Sequence, residues 1–286
     1  MKETENLRER IIREWQSGED RTLVSDPVFL SRTAVRRILP GEDRYPETVA
    51  GILRSHGLLR KDQTVLDVGC GEGVFAAEAA RTAGHVTGLD LSPARCEEAR
   101  QRAARLGLGN VRLIAGDFLE FDPEKEGEPA QYDLVVASQV PAANAYTGFR
   151  KIQAMSRGSC FLSCPVGFTE PLLREIAARA AGEDPGEPRG RMPRFLKTFS
   201  LLCLEGFRPE AFFLERKFRV LYPTDPVVFR MFRILWPGRD WTEKEKRTIL
   251  ELLRERADSS GMAASESEQL CGCLLWKGGL PAAAEE

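Results

Sequence analysis

A chain of 286 residues, 42% of them hydrophobic, is long enough for one large core, or a core with an attached cap, and too short for three domains. A formal charge of −2 gives no general attraction to nucleic acid, so an RNA substrate is disfavoured. No apolar run approaches the ~20 residues of a membrane span, and the opening MKETENLRER lacks the apolar core of a secretion signal, so no membrane association and a cytoplasmic location are expected.

In chain order, Leu7, Ile11, Ile12 and Trp15 share one helical face, and Gly18 ends that helix. A loop-rich stretch through Pro40 and Gly41 leads to a second helix around Pro46 to His56, and residues 1–58 read as a separate N-terminal helical segment. Thr64 to Ala76, TVLDVGCGEGVFA, reads as strand, tight turn and helix start: apolar residues lead to Asp67, then to glycines 69, 71 and 73. Glycine there permits positive φ and leaves bare backbone before a helix N-terminus with free N–H groups, which makes the turn a ligand cradle. The G-x-G-x-G order departs from the dinucleotide fingerprint G-x-G-x-x-G, and an acid two places before the first glycine repels a pyrophosphate but suits an ammonium group.

HVTGLDLS (His85 to Ser92) is a second strand ending in Asp90, about 20 residues after the glycines, where Rossmann-like folds place a carboxylate for ribose hydroxyls. Ser92 and Pro93 start a helix with Cys96, Ala99, Ala103 and Leu106 on one face, closed by Gly107. Val111 to Phe118, Tyr132 to Val140 and Ser159 to Val166 read as third, fourth and fifth strands, at the cadence of βαβ units in a parallel sheet. Helices are expected over Thr169 to Ala181 and Arg194 to Gly206, with a Pro/Gly/charged loop over Gly182 to Pro193 between them. Strands follow over Glu210 to Tyr222 and Glu268 to Lys277. Between the last two strands, Pro223 to Asp258 is a helical insertion with a Thr242/Glu245 capping box and with Phe229, Met231, Phe232, Trp236 and Trp241. From Arg191 to Arg256 fifteen Lys/Arg stand against nine Asp/Glu, so this insertion is a candidate substrate cap for an anionic or aromatic ligand; the competing reading is a packing subdomain with solvated arginines.

Seven cysteines without a secretion signal argue against a disulfide framework. Cys160 and Cys164 on the fifth strand and Cys271 and Cys273 on the last lack the C-x₂-C spacing of a metal knuckle, so they read as core and no metal is expected. Cys70 reads as a small side chain tucked beneath the glycine turn.

The segment TVLDVGCGEG resembles motif I of the class I S-adenosylmethionine-dependent methyltransferases, and the resemblance extends over roughly residues 60–166 and, less closely, 200–278. It implies an α/β fold: a seven-stranded Rossmann-like sheet, helices on both faces, N-terminal helices covering the cofactor, and a methyltransferase domain over 59–286 with its cap at about 223–258. It also implies S-adenosylmethionine as cofactor and S-adenosylhomocysteine as product. Asp67 with Gly69, Cys70, Gly71 and Gly73 would hold the methionine end, and Asp90 with Leu91 the ribose. Asp117 would take the adenine amine, Phe118 would cover the ring, and Ser138 and Gln139 would face the reacting methyl. The sequence Ser138-Gln139-Val140-Pro141 lacks the [DN]-P-P-[YFW] pattern of methyltransferases for planar amines.

Methyl transfer to a small-molecule acceptor is the expected function, with no oligomeric state implied. The alternatives are a non-catalytic S-adenosylmethionine sensor or partner protein, an RNA or protein methyltransferase, and an aminopropyl-transferring or NAD-dependent enzyme. Of two histidines, His85 begins the second strand, away from the cofactor edge, and His56 precedes the first, so neither is placed as a base; Tyr45 and Tyr146 are the candidates for taking a proton.

Overall fold

In the computed structural model, which describes residues 2–17, 37–38, 43–182, 192–236 and 239–278, the expected strands join one mixed sheet. They are β1 (Thr64–Val68), β2 (His85–Asp90), β3 (Val111–Ala115), β4 (Tyr132–Ser138), β5 (Ser156–Thr169), β6 (Glu210–Pro223) and β7 (Met262–Lys277), in the spatial order β6-β7-β5-β4-β1-β2-β3. A two-residue strand, Arg37–Ile38, pairs antiparallel with the outer edge of β6 and makes an eighth. Strands β1 to β5 run parallel, while β7 is antiparallel to both β5 and β6. The strand order reverses between β1 and β4, and in open α/β sheets such a reversal leaves a crevice beyond the C-terminal strand ends.

Nine α-helices accompany the sheet among the described residues: α1 (Lys2–Ser17), α2 (Tyr45–Ser55), α3 (Val74–Ala80), α4 (Pro93–Arg105), α5 (Tyr146–Ala154), α6 (Pro171–Ile176), α7 (Met192–Leu204), α8 (Val228–Leu235) and α9 (Glu243–Arg254). On one face, Trp15 of α1, Phe149 and Ile152 of α5 and Leu201 of α7 pack on Val135, Leu162 and Trp276. Trp15 stacks on Phe149 at 5.4 Å between ring centroids. On the other face, Val49 and Leu53 of α2 and Phe75 and Ala79 of α3 cover Val65, Val136 and Phe161. Val49 and Leu53 are fully buried, and each such side chain contributes ~1.5–3 kcal/mol. The expected N-terminal segment is therefore divided, with α1 and α2 on opposite faces of the sheet.

Several boundaries differ from the sequence expectation. The third strand stops at Ala115, because Gly116 and Asp117 turn away instead of extending it to Phe118. The helix expected over 169–181 is α6 followed by a single wide turn, Ala177–Ala181. β7 begins at Met262, six residues ahead of expectation. Its early half reads as polar, yet Ala263, Ser265, Ser267 and Gln269 alternate inward as buried small or polar residues, a period-2 pattern hidden by weak strand formers. Gly18, most of the loop expected before Pro40 and most of the loop over 182–193 lie outside the described residues.

Thr169 of β5 pairs with Glu268, which pairs with Lys217, and beyond that level β6 and β7 continue as a two-stranded ribbon past the C-terminal edge of the parallel strands. The insertion folds onto this ribbon. Phe232, Trp241, Ile249, Leu252 and Leu253 pack with Tyr222, Val220 and Ala263, together with Leu172 and Ile176 of α6. The expected capping box is formed, with Thr242 Oγ1 accepting from Glu245 N and Glu245 accepting from Thr242 N. Met231, Phe232 and Trp241 are buried in this subdomain's own core, so these residues serve packing; Phe229 and Trp236 are its partly exposed members.

Candidate active site

The glycine turn follows β1 at the point where the strand order reverses. Its three glycines all have positive φ, and they do different work. A Cβ on Gly69 would stand 2.4 Å from Val140 Cγ2, and one on Gly73 would stand 2.7 Å from Ala99 Cβ, so these two permit close packing. A Cβ on Gly71 would meet only Arg95 Nη1 at 4.0 Å, so Gly71 presents bare backbone to open space, as a ligand-facing turn requires. Cys70 is buried against Ala99 and Leu113, beneath the turn as expected.

Asp67 is 3% exposed, and its Oδ2 has no hydrogen-bond partner. Burial, and then the charge of Asp90, push its pKa up to about 7, against a backbone hydrogen bond from Ala76 that pulls it down. A buried, unpartnered carboxylate oxygen is costly unless a cationic donor meets it, which is the fit expected for the ammonium of the cofactor's methionine end. Asp90 Oδ2 accepts from Gly71 N at 2.9 Å and Oδ1 from Ser92 N at 2.9 Å. These bonds fix the carboxylate across the glycine turn, and an ionised carboxylate retains further acceptor positions for hydroxyls. Asp117 is held in an Asx turn by Leu119 N at 2.8 Å. Asp67, Asp90 and Asp117 thus stand at or just past the C-terminal ends of adjacent strands β1, β2 and β3. These residues fit S-adenosylmethionine.

Phe118 departs from its expected place. It is 4% exposed and packs in the core beside Phe121, with Lys151 Nζ 5.4 Å over its ring, so it does not lie open for an adenine. Leu91, expected at the ribose, is the partly exposed residue between Asp90 and the Ser92 cap.

At the end of β4, Gln139 adopts φ 59°, the one non-glycine residue with positive φ among those described. Its backbone N–H donates to Ser163 O at 2.9 Å. Ser138 Oγ lies 2.9 Å from Ser163 Oγ, which also accepts from Tyr45 Oη at 2.7 Å. Ser163 was not anticipated; its signal was its place on β5 opposite Ser138, legible only once the register is known. Tyr45 is 5% exposed, and burial raises its phenol far above the ordinary value, so it serves as a hydrogen-bond donor and not as a base near neutrality. Tyr146 begins α5 and is partly buried, edge-on to Trp15 at 6.1 Å.

Two further polar groups flank this edge. Arg216 pairs with Asp43, donating from Nε at 3.0 Å, and lies between the rings of Phe218 at 4.6 Å and Tyr45 at 5.3 Å. Glu47, in the first turn of α2, has a buried Oε2 without a partner. The histidines lie at the other end of the fold. His85 contacts Glu128 at 3.1 Å at the start of β2, and His56, following α2, contacts Glu210 at 3.0 Å. Cys160 and Cys164 face one side of the sheet and Cys271 and Cys273 the other, and no group of metal-ligating side chains occurs among the described residues. No described helix is long and apolar enough to cross a membrane.

A sheet ordered in this way, with the glycine turn and acid series at its reversal point, defines the class I methyltransferase fold. A methyltransferase-domain family model matches residues 59–219, more than half of the chain, and the chain belongs to the class I S-adenosylmethionine-dependent methyltransferases, a family that uses S-adenosylmethionine as methyl donor. It is 33% identical over 166 residues to aklanonic acid methyltransferase DauC of Streptomyces sp. (strain C5), covering 54% of this chain and 66% of that relative. It is 41% identical over 86 residues to (S)-tetrahydroprotoberberine N-methyltransferase of Eschscholzia californica, covering 29% of this chain and 24% of that one. The matches thus span two thirds or less of these relatives' lengths. Among solved structures, the YcgJ protein of Bacillus subtilis superposes with a TM-score of 0.47 at 15% identity over 81% of this chain and 98% of its own.

Proposed function

We propose that this protein transfers a methyl group from S-adenosylmethionine to a small-molecule acceptor, with Asp67, the turn 69–73, Asp90, Leu91, Asp117, Ser138 and Gln139 contacting the donor. The observation that carries the reading is the unpartnered, buried Asp67 Oδ2 beside the bare backbone of Gly71. When bound, the cofactor supplies a methyl group activated by its sulfonium. The protein's part is then alignment and exclusion of water, and proton removal need not involve a strong base.

The cap, about residues 223–258, closes the acceptor side. This rests on the ribbon that carries the cap past the C-terminal strand edge. The acceptor is an anionic or aromatic small molecule: DauC is named for an acid, and the cap joins the partly exposed Phe229 and Trp236 to a sequence rich in arginine. The N-terminal segment, residues 1–58, covers the donor from the ends of α1 and α2, and residues 59–286 form the methyltransferase domain proper.

Calorimetry with S-adenosylhomocysteine tests the donor site. Micromolar binding is expected, weakened tenfold or more in Asp90→Ala, since a lost partner of a buried hydrogen-bonded group costs ~1–3 kcal/mol. Turnover of labelled donor with a panel of hydroxylated aromatic carboxylic acids, against an RNA and a ribosomal protein, then distinguishes acceptor classes. Methylation of only the RNA or only the protein overturns the small-molecule reading.

A further inference from the structure

The side chains of Asp67, Ser138 and Ser163 belong to a row that crosses three adjacent strands on the face covered by α2 and α3. Asp67 pairs in register with Val136, Ser138 lies two residues further along β4, and Ser138 pairs with Ser163. Residues two apart on a strand share a face, so the row is continuous from the glycine turn to Tyr45 at the start of α2. Within it the direction of each hydrogen bond can be worked out by counting. Tyr45 Oη keeps its proton and donates to Ser163 Oγ at 2.7 Å, and Gln139 Nε2 donates to the same oxygen at 3.4 Å. A serine oxygen has two acceptor positions, and both are now filled. The remaining contact of Ser163, with Ser138 Oγ at 2.9 Å, must therefore use the Ser163 proton. Ser138 is left an acceptor inside the protein, with its own proton free to donate outward at the partly exposed end of β4.

We propose that Ser163 is a positioning residue for the donor's amino-acid end: the chain Tyr45→Ser163→Ser138 commits the Ser138 hydroxyl to donate to the carboxylate of the bound cofactor. The inference rests on the methyl-donor reading of the site. Its chemistry follows from the register. Val68 pairs with Ala137, so Ser138 stands beside the first glycine of the turn, on the strand next to Asp67 and diagonal to it on the same face. An amino acid carries its ammonium and its carboxylate on one carbon. An anion-seeking hydroxyl next to an unpartnered, cation-seeking carboxylate oxygen matches that pair.

The second lever is Gln139. Its left-handed backbone is disfavoured for a residue with a side chain and persists only where neighbours hold it. Ser163 holds it twice, through its carbonyl oxygen to Gln139 N and through its hydroxyl to Gln139 Nε2. One residue of β5 thus sets both the hydroxyl and the backbone that follow β4.

The test is calorimetry on the full chain with two probes: S-adenosylhomocysteine, which has the amino-acid end, and 5′-methylthioadenosine, which lacks it. Ser163→Ala is expected to weaken S-adenosylhomocysteine at least fivefold and to leave 5′-methylthioadenosine within twofold. Ser163→Thr, which keeps the hydroxyl, should restore binding. The double variant Ser138→Ala/Ser163→Ala should bind no more weakly than Ser138→Ala alone, because both act through one hydroxyl. Ser138→Ala, at a partly exposed position, gives the same selective loss even where the buried substitution fails to fold. Unchanged affinity for S-adenosylhomocysteine in Ser138→Ala, or equal weakening of both probes, overturns the proposal. Failure of the unsubstituted protein to bind S-adenosylhomocysteine overturns the methyl-donor reading itself.

Discussion

Asp67 couples the donor site to pH, and replacing it with asparagine isolates that coupling. Its pKa rises from the ordinary 3.8 to about 7, chiefly through burial. At ~1.36 kcal/mol per unit, ionising it inside the empty protein costs on the order of 4 kcal/mol. Because the folded value is the higher one, the associated stability is fully present below about pH 4 and is lost as pH rises through about 7. Asp67→Asn removes the charge at the cost of a buried amide donor, ~1–3 kcal/mol. The variant should therefore match the unsubstituted protein near pH 5 and exceed it at pH 8 by about 1–3 kcal/mol in urea unfolding without ligand. Binding runs the other way. A cationic ligand selects ionised Asp67, so affinity for S-adenosylhomocysteine should rise up to tenfold per unit below about pH 7 and level off above it, with proton release visible as buffer-dependent enthalpy. Asp67→Asn should bind weakly and without this slope. An asparagine variant less stable than the unsubstituted protein at pH 8, or an affinity that falls from pH 6 to 8, rules out a buried Asp67 that ionises to meet the ligand.

The glycines of the turn should separate by role: Gly73→Ala, with a Cβ 2.7 Å from Ala99, is expected to lower stability by ~1–3 kcal/mol, whereas Gly71→Ala should cost only about 1 kcal/mol of stability yet reduce S-adenosylhomocysteine affinity at least tenfold; thermal unfolding and calorimetry measure both. Arg216→Ala leaves the largely buried Asp43 without its cationic partner, with only the Tyr45 N–H among the described residues donating to it, and should destabilise by ~2–4 kcal/mol in urea unfolding, with the double variant Arg216→Ala/Asp43→Ala recovering part of the loss.

The sequence carried the fold because its signals were local. The run into Asp67, the glycines after it and the Ser92-Pro93 start each specify strand, turn or helix within a few residues, and seven of the eight described strands follow from such runs, whereas the two-residue Arg37–Ile38 strand forms only through its pairing with β6. The positions of Asp67, Asp90 and Asp117 were legible for the same reason: each stands at or just past the end of a strand. The residues that escaped notice depend on pairing between distant segments. Ser163 matters because it lies opposite Ser138, 25 residues away, and Arg216 because it meets Asp43 across 173 residues. Phe118 shows why type alone is ambiguous: an aromatic next to Asp117 fits a ring-covering role as well as a core role, and in the fold, past the end of β3 at Ala115, it is buried. The cap's aromatics show the same ambiguity, since Phe232 and Trp241 at helix-packing intervals form a small core.

Tyr45 joins the donor edge of the sheet to the α2 face. Read from the sequence, a tyrosine before α2 is a candidate for taking a proton near the methyl group. In the fold its phenol is buried and donates to Ser163, its ring faces the Arg216 guanidinium, and its helix closes one face of the sheet. Burial first, and then the neighbouring thiols of Cys273 and Cys271, hold the phenol protonated and neutral against the opposing effect of its bond to Ser163, a state that an acid–base role near pH 7 does not need and a fixed hydrogen-bond donor does. The same burial that removes Tyr45 from proton transfer gives the Ser163 to Ser138 chain its direction. An enzyme whose reaction is a displacement at carbon gains more from that fixed direction than from another base, because alignment of donor and acceptor is the larger part of the barrier it can lower.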